Sequence, residues 1–196
     1  MLIIKHRINT LKELQETPIN FGIEADVQMK DNEIYLGHDP GDTSEKLIQF
    51  MSGFKHRMFA VNIKQEGIEE NVISILKDFS CERFFLFDLS FPKAMSLIWA
   101  GESRIALRIS DFESLQEIDF LSKNIDWLWI DTFLSPNFLK KTLFSKFKNT
   151  KKCLVSPELH SYRSKELTEE ILSQIKSSGV KFDAVCTKKP EIWENL

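Results

Sequence analysis

Short apolar runs alternate with longer amphipathic segments along almost the whole chain. Nine of these runs have the length and the residue types of β-strands, and they cover residues 2–5, 21–27, 33–37, 58–63, 83–89, 104–109, 126–131, 152–156 and 182–187. Most of them are nearly continuous in apolar residues, which is typical of parallel strands that are buried on both faces. The pattern therefore predicts a largely parallel sheet.

The segments between these strands have apolar residues at helical spacing. Residues 43–53 begin with Thr43 and Ser44, which are typical residues at the start of a helix, and end on Gly53. By the same spacing and end signals, helices are also predicted at residues 9–17, 67–79, 92–101, 111–124, 135–147 and 164–179.

Strand and helix alternate about eight times, with one extra hairpin strand after the second strand. Such alternation implies right-handed crossovers and a parallel sheet, and eight units predict a closed (β/α)8 TIM barrel of the α/β class. Because the chain has only 196 residues, against about 250 in a typical barrel, its helices and loops must be trimmed. An open doubly wound sheet is the alternative, although no Gly-rich phosphate loop follows any strand. No linker interrupts the pattern, so residues 1–196 are predicted to form one domain.

Composition and charge narrow the class of protein. Hydrophobic residues make up 42% and charged residues 28% of the chain, as in ordinary globular proteins, and the net charge of -3 gives no reason to expect nucleic acid as a partner. Cys81, Cys153 and Cys186 stand in or beside apolar runs without metal-site spacing, so buried thiols are predicted. No run has the ~18 apolar residues of a membrane span, and residues 1–14 lack a signal-peptide core. A cytoplasmic protein is expected, and its oligomeric state cannot be inferred from the sequence.

Polar residues of the types that catalyse reactions or bind ligands stand at the ends of the predicted strands, where the functional groups of a TIM barrel collect. They are His6, Arg7, Glu24, Asp26, His38, Asn62, Lys64, Asp88, Arg108, Asp131, Glu158, His160 and Lys188. Glu24 and Asp26 are two residues apart, so their side chains share one face of the strand. Two buried carboxylates are costly unless a hard divalent cation compensates them. For Asp88 and Asp131, capping of the following helix is the simpler interpretation.

Four short motifs within the first 40 residues carry a resemblance to a known family. They are His-Arg at residues 6–7, Glu-Ala-Asp-Val at 24–27, Lys-Asp-Asn at 30–32 and His-Asp at 38–39. In this order they resemble the glycerophosphodiester phosphodiesterase family of phospholipase C-like TIM barrels. Residues 61–64 fall where that family has Glu-x-Lys, and residues 182–191 resemble its closing strand more loosely.

The resemblance implies a (β/α)8 barrel that hydrolyses a small-molecule phosphodiester with one divalent cation, magnesium or calcium, with manganese as a further candidate. Residue by residue, it implies metal binding by Glu24 and Asp26, acid and base roles for His6 and His38, and phosphate binding by Arg7 and Lys64. Arg108 is predicted to join the substrate-binding residues from the end of a later strand.

The chain departs from the family pattern in ways that affect the metal and the substrate. Ile8 stands where the family has glycine, and Asn62 replaces the third metal-binding glutamate. The third ligand is therefore predicted to be Asn62, Glu158 or Asp88. Only residues 40–57 separate the His-Asp turn from the next barrel strand, so the family's long insertion is missing. This favours an open site and a substrate other than a small glycerophosphodiester.

Two other functions fit parts of the pattern. Asn62 and the missing glycine are compatible with a degenerate barrel that binds a phosphorylated ligand without cleaving it. Lys64 or Lys188 could instead form a Schiff base in an unrelated lyase or isomerase. The second of these leaves Glu24, Asp26 and both histidines without a role.

Overall fold

The computed structural model describes residues 1–113, 121–139, 145–160 and 163–194. The chain divides into two compact units, one of residues 4–96 and one of residues 1–3 together with 97–196. Each unit has its own strands and helices and is described by itself. The predicted helices at residues 111–124 and 135–147 lie partly outside the described residues. The single domain predicted for residues 1–196 stays a prediction.

The strands of the unit of residues 4–96 are arranged around β2. This strand, Gly22–Lys30, pairs in parallel with the end of β1 (Leu2–Lys5) and with β5 (Phe59–Ile63). A further parallel strand, β6 (Phe84–Phe87), pairs with β5. The predicted hairpin strand is β3 (Glu33–Leu36), which returns antiparallel to β2.

The β2–β3 hairpin is explained by its two-residue turn. Asp31 and Asn32 both have positive φ angles, 51° and 61°, as a type I′ turn requires, and these two residue types tolerate that conformation. The turn sets the register Lys30↔Glu33. Because of this register, Gly37 lies beside Asp26 and donates its N–H to the Asp26 carbonyl over 3.0 Å. The hairpin thus brings the next residue, His38, back toward the level of Asp26.

The helices of this unit are α1 (Leu11–Glu16), α2 (Leu47–Gly53), α3 (Glu69–Asp78) and, up to residue 96, α4 (Phe91–Trp99). The start of α2 differs from the prediction, because residues 45–46 form a short strand, β4 (Glu45–Lys46), that pairs antiparallel with β3. The Lys46 Nζ also donates to Glu33 Oε1 over 2.8 Å. Pairing with β3 therefore overrides the local helix-start signal of Thr43 and Ser44.

The second unit contains four parallel strands whose spatial order follows the chain. They are β7 (Ala106–Ile109), β8 (Trp127–Ile130), β9 (Lys151–Val155) and β10 (Ala184–Thr187). In β1, the N–H of Leu2 donates to the carbonyl of Asp183 over 2.9 Å. The helix α5 (Ser164–Ser178) ends at Gly179, whose φ of 67° suits a glycine. Short 3₁₀ turns cover Ser122–Asn124, Pro136–Phe138, Pro157–Leu159 and Pro190–Ile192.

The strands supply most of the buried apolar side chains, as their continuous apolar sequences predict. Trp193 is 1% exposed, and its indole N–H donates to Ser156 Oγ over 3.0 Å, so the segment after β10 packs back onto its own unit. All three cysteines are buried thiols, as predicted. Within the described ranges, none of the helices combines the length and the apolar character needed to span a membrane.

Candidate active site

The end of β1, the middle of β2 and the end of β5 bring predicted site residues together in the unit of residues 4–96. Asp26 and Asn62 are register partners on neighbouring parallel strands. Glu24 lies two residues before Asp26 on the same face of β2. Both carboxylates are almost completely buried, at 0% and 1% exposure. The sequence-based expectation of two adjacent buried carboxylates therefore matches the geometry.

The loop after β1 is held against β2 by hydrogen bonds that also organise the carboxylates. The Arg7 N–H donates to Glu24 Oε2 over 2.7 Å, and the Ile8 N–H donates to the Glu24 carbonyl over 2.8 Å. Arg7 has a φ of 58°, which is unfavourable for a residue with a Cβ. The hydrogen bonds from the Arg7 and Ile8 N–H groups to Glu24 maintain this backbone conformation.

Asn9 is a site residue that sequence reasoning missed. Its Nδ2 donates to Asp26 Oδ2 and its Oδ1 accepts from the Asp26 N–H, each over 3.0 Å. Asn9 is 9% exposed, so this reciprocal pair lies inside the protein. The sequence carried one signal for this role. Asn9 has a side-chain amide in the loop after the first strand, and such a loop can approach a carboxylate on the next strand.

Two cationic side chains lie beside the Asp26 carboxylate, whereas a histidine lies beside the Glu24 carboxylate. Lys64 Nζ lies 3.1 Å from Asp26 Oδ1 and Arg7 Nε lies 3.7 Å from Asp26 Oδ2. Glu24 Oε2 lies 3.6 Å from His6 Nε2. Burial, and secondarily the charge of Asp26, raise the pKa of Glu24 to about 8, against the opposing effect of the Arg7 N–H and the Lys64 and Arg7 charges. In the absence of a metal ion, Glu24 therefore holds a proton at neutral pH.

The oxygen atoms of this site fit a hard divalent cation. Among the described residues, nothing donates a hydrogen bond to the buried oxygens Glu24 Oε1 and Asn62 Oδ1. Carboxylate and amide oxygens are the ligands that magnesium and calcium prefer. In the part of the chain that the structure describes, no three His, Cys, Asp or Glu side chains form a group that could hold a metal ion. The predicted cation stays a prediction, resting on two carboxylates and one amide.

His38 lies at the end of the hairpin, with 37% of its side chain exposed. Its Nδ1 is 2.7 Å from Asp39 Oδ1. An ionised carboxylate only accepts hydrogen bonds, so this contact places the proton on Nδ1 and leaves Nε2 to accept one. The Gln28 Nε2 donates to the carbonyls of Gly37 and Asp39 and thereby holds the turn. The acid and base roles of His6 and His38 stay predictions.

In the second unit, Asp131 joins two other residues from the predicted strand ends. Its Oδ2 lies 2.8 Å from Arg108 Nη1 and its Oδ1 lies 2.9 Å from His160 Nε2. Asp131 was expected to cap a helix, but its buried carboxylate instead links an arginine and a histidine. The substrate-binding role of Arg108 stays a prediction.

Glu158 and Asp88 were considered as the third metal ligand. The Glu158 carboxylate accepts hydrogen bonds from the hydroxyls of Ser156 and Thr187, and from the Lys188 N–H over 3.1 Å. It thereby ties the turn after β9 to the end of β10. Asp88 follows β6 with a φ of 59°. Neither residue's role at a metal is tested by these contacts, so both stay predictions.

Comparisons with known proteins concern the fold. No protein-family model matches the chain, and no curated protein does. Over 100% of this chain and 98% of the other, the structure is similar to a glycerophosphodiester phosphodiesterase from Agrobacterium tumefaciens, with a TM-score of 0.69 and 13% identity. The fold is that of a TIM barrel.

A second similar structure is a mutant tryptophan synthase alpha-subunit from the hyperthermophile Pyrococcus furiosus. It has a TM-score of 0.56 and 12% identity, over 95% of this chain and 86% of the other. Both similar proteins are TIM barrels, so the predicted fold class is confirmed and the open doubly wound sheet is not supported. Since the two are different enzymes, the fold alone does not decide the activity of this chain.

Proposed function

We propose that this TIM barrel is a metal-dependent phosphodiesterase that hydrolyses a small-molecule phosphodiester. The observation that carries the proposal is the pair of buried oxygens, Glu24 Oε1 and Asn62 Oδ1, to which no described residue donates a hydrogen bond. They belong to the same pair of neighbouring strands as Asp26. Arg7 and Lys64, the two cations beside Asp26, supply positive charge for an anionic substrate.

In the proposed reaction, different residues of the site bind the metal, bind the phosphoryl group and transfer protons. Glu24, Asp26 and Asn62 would hold the divalent cation, which supplies electrostatic stabilisation of the charge that develops on the phosphoryl group. The side chains of Arg7 and Lys64 bind phosphoryl oxygens. One of His6 and His38 takes the proton of the attacking water or substrate hydroxyl, and the other protonates the leaving alkoxide.

The segment after the His-Asp turn supports a substrate other than a small glycerophosphodiester. Residues 40–57, which stand where the family has its long insertion, contain only β4 and α2 as regular elements. A segment of this length offers less cover for a head group than the family's long insertion. We therefore propose an alcohol phosphodiester whose alcohol groups need not be covered by an insertion.

Turnover in the presence of a divalent cation tests this function. The purified protein is assayed with magnesium, calcium and manganese against glycerophosphodiesters, nucleotide-linked alcohols and bis-p-nitrophenyl phosphate. We expect hydrolysis of at least one diester, its loss on addition of a chelator and its recovery with excess metal. Absence of turnover with every metal would refute the proposal.

Phosphate binding without cleavage is a second candidate, because Asp26 already has compensation from Lys64, Arg7 and Asn9. Without any metal ion, the Asp26 carboxylate can hold the Lys64 and Arg7 side chains in positions that bind a phosphorylated ligand. Calorimetry with inorganic phosphate separates the two functions. Equal affinity with and without a divalent cation, together with absent turnover, favours the binding function.

The replacement Asn62→Asp tests the assignment of the third ligand. A carboxylate in place of the amide adds a negative charge beside Asp26, and cation affinity rises with ligand charge. We expect calcium to bind about tenfold tighter in isothermal titration calorimetry. The matched control is Asn71→Asp, which makes the same change at an exposed position of α3. Unchanged or weaker calcium binding in Asn62→Asp would contradict the assignment.

A further inference from the structure

Asp131, Arg108 and His160 form a cluster within the unit of residues 1–3 and 97–196. Asp131 is 1% exposed, whereas the side chains of Arg108 and His160 are 34% and 23% exposed. The buried carboxylate thus holds a guanidinium and an imidazole that both reach solvent. The two groups approach its two different oxygens, over 2.8 Å and 2.9 Å. Asp131 is therefore a partner that the two groups share.

The solvent-exposed hydrogen-bond donors of this cluster suit an anion. Asp131 carries one negative charge, which the always-charged Arg108 balances. The ionised carboxylate only accepts hydrogen bonds, so His160 donates through Nε2 and keeps its Nδ1 for another partner. An anion can receive charge-assisted hydrogen bonds from the guanidinium and share a proton with the imidazole.

An aromatic surface adjoins the cationic groups. The centroids of the Phe133 and His160 rings are 4.5 Å apart, at an interplanar angle of 36°. The centroids of the Phe112 and Phe133 rings are 6.0 Å apart, and Phe112 is 69% exposed. An exposed aromatic ring of this size can stack on a flat apolar group of a ligand. The site thus offers anion-binding and ring-binding surfaces next to each other.

The loops that carry these residues are held in place before any ligand binds. The Asp111 carboxylate accepts the backbone N–H groups of residues 133, 134 and 135, over 2.7–3.1 Å. On the other side, Glu158 ties the turn that leads to His160 to Thr187 and Lys188. A site whose side chains are positioned in advance loses less conformational entropy when it binds a ligand.

We propose that Arg108, Asp131 and His160 form a binding site for a phosphate monoester carried on an aromatic group. Arg108 binds the phosphate oxygens, and His160 Nδ1 shares a proton with the phosphate. Asp131 keeps both side chains in position, and Phe112 contacts the aromatic group. The site lies within one unit, and its Arg108 is also a residue that the sequence predicts to bind the phosphodiester substrate. Binding of the monoester is measured without a metal ion and without turnover, so its failure is distinguishable from failure of the proposed phosphodiesterase activity.

Phenyl phosphate is the probe that tests the site. In metal-free buffer it is titrated into the full-length protein while the imidazole resonances of His160 are followed by NMR. These resonances are assigned by their disappearance in His160→Gln. We expect saturable shifts, tighter binding than for inorganic phosphate, and no shifts with the neutral ring compound phenol. The replacement Arg108→Gln should weaken phenyl phosphate binding at least about tenfold, since a bond to a charged group is lost.

Matched variants separate the site from general charge and folding effects. Arg104→Gln removes an arginine that pairs with Glu102 in the same unit, and it should leave the affinity unchanged. Arg108→Lys keeps the charge and loses the planar fork, so it should weaken binding even if Arg108→Gln fails to fold. Phe112→Ser should reduce the affinity for phenyl phosphate to that for inorganic phosphate. Its matched control is Phe91→Ser, an exposed phenylalanine of the other unit.

Several outcomes would overturn the proposal. Unshifted His160 resonances at about 10 mM phenyl phosphate would exclude a site of useful affinity. Equal losses of phenyl phosphate affinity in Arg104→Gln and Arg108→Gln would show that the effect comes from the net charge of the protein and not from this site. Unchanged phenyl phosphate binding in Phe112→Ser would remove the aromatic group from the ligand class.

Discussion

Replacing His6 or His38 by alanine is expected to lower kcat/KM for an alkyl phosphodiester by about 100- to 10,000-fold, the usual contribution of a general acid or base. His6 lies at the end of β1 with its Nε2 3.6 Å from Glu24, and the ring of His38 is oriented by Asp39. Steady-state rates with saturating metal measure the loss.

A comparison of leaving groups assigns the two roles. The p-nitrophenolate leaving group departs without a proton, so loss of the general acid matters little for bis-p-nitrophenyl phosphate. We expect the acid variant to lose much more activity on an alkyl diester than on the p-nitrophenyl diester, and the base variant to lose activity on both.

The control for the histidine variants is His56→Gln. His56 is buried before β5, and its Nε2 contacts the carbonyl of Thr17, a bond that a glutamine amide can replace. Turnover of this variant should stay close to that of the wild type. Full activity in both His6→Ala and His38→Ala would exclude the proposed acid and base chemistry.

The replacement Glu24→Gln is expected to abolish divalent cation binding at micromolar to millimolar concentrations and turnover with it. Among the described residues nothing donates a hydrogen bond to Glu24 Oε1, and an amide oxygen in its place lacks the negative charge of a carboxylate and leaves the site with one charged ligand fewer. Calorimetric titration with calcium measures the effect. Glu16→Gln, which changes an exposed glutamate of α1, serves as control. Retained calcium binding in Glu24→Gln would contradict the assignment.

The same glutamate predicts how stability depends on pH in a chelator. Its pKa rises from 4.5 to about 8 on folding, chiefly through burial, so the folded state keeps a proton that the unfolded state has released. This contribution to stability is complete below pH 4.5 and is lost as the pH rises through 8. We therefore expect the metal-free protein to lose a few kcal/mol of unfolding free energy between about pH 5 and pH 8.

Urea unfolding across this pH range measures the effect. Glu24→Gln should flatten the profile, because it removes the group that titrates. An added divalent cation should flatten it too, since it binds the deprotonated carboxylate and is bound only by the folded state. A metal-free profile that rises from pH 5 to pH 8 would contradict the environment described for Glu24.

Local sequence patterns were sufficient for most strands and for the fold class. The bounds of β1 agree with the predicted residues 2–5, and β2 to β10 fall on the other apolar runs apart from the added β4. A strand that is buried on both faces is mostly apolar, so its own sequence identifies it. The spacing of Glu24 and Asp26 likewise determined that they share a face, because side chains alternate along a strand.

Tertiary structure decided what depends on residues distant in the chain. Residues 45–46 became a strand because β3 offers unpaired backbone groups, although Thr43 and Ser44 before them favour a helix start. Asn9 acquired its role from Asp26, 17 residues away, and Asp131 acquired its role from Arg108 and His160 on neighbouring elements. Hydrogen bonds and ion pairs act over a few ångströms through space, and a sequence records that proximity only indirectly. The sequence by itself determined the fold class and the face of β2 that carries the carboxylates, whereas the folded chain alone decided which groups surround them.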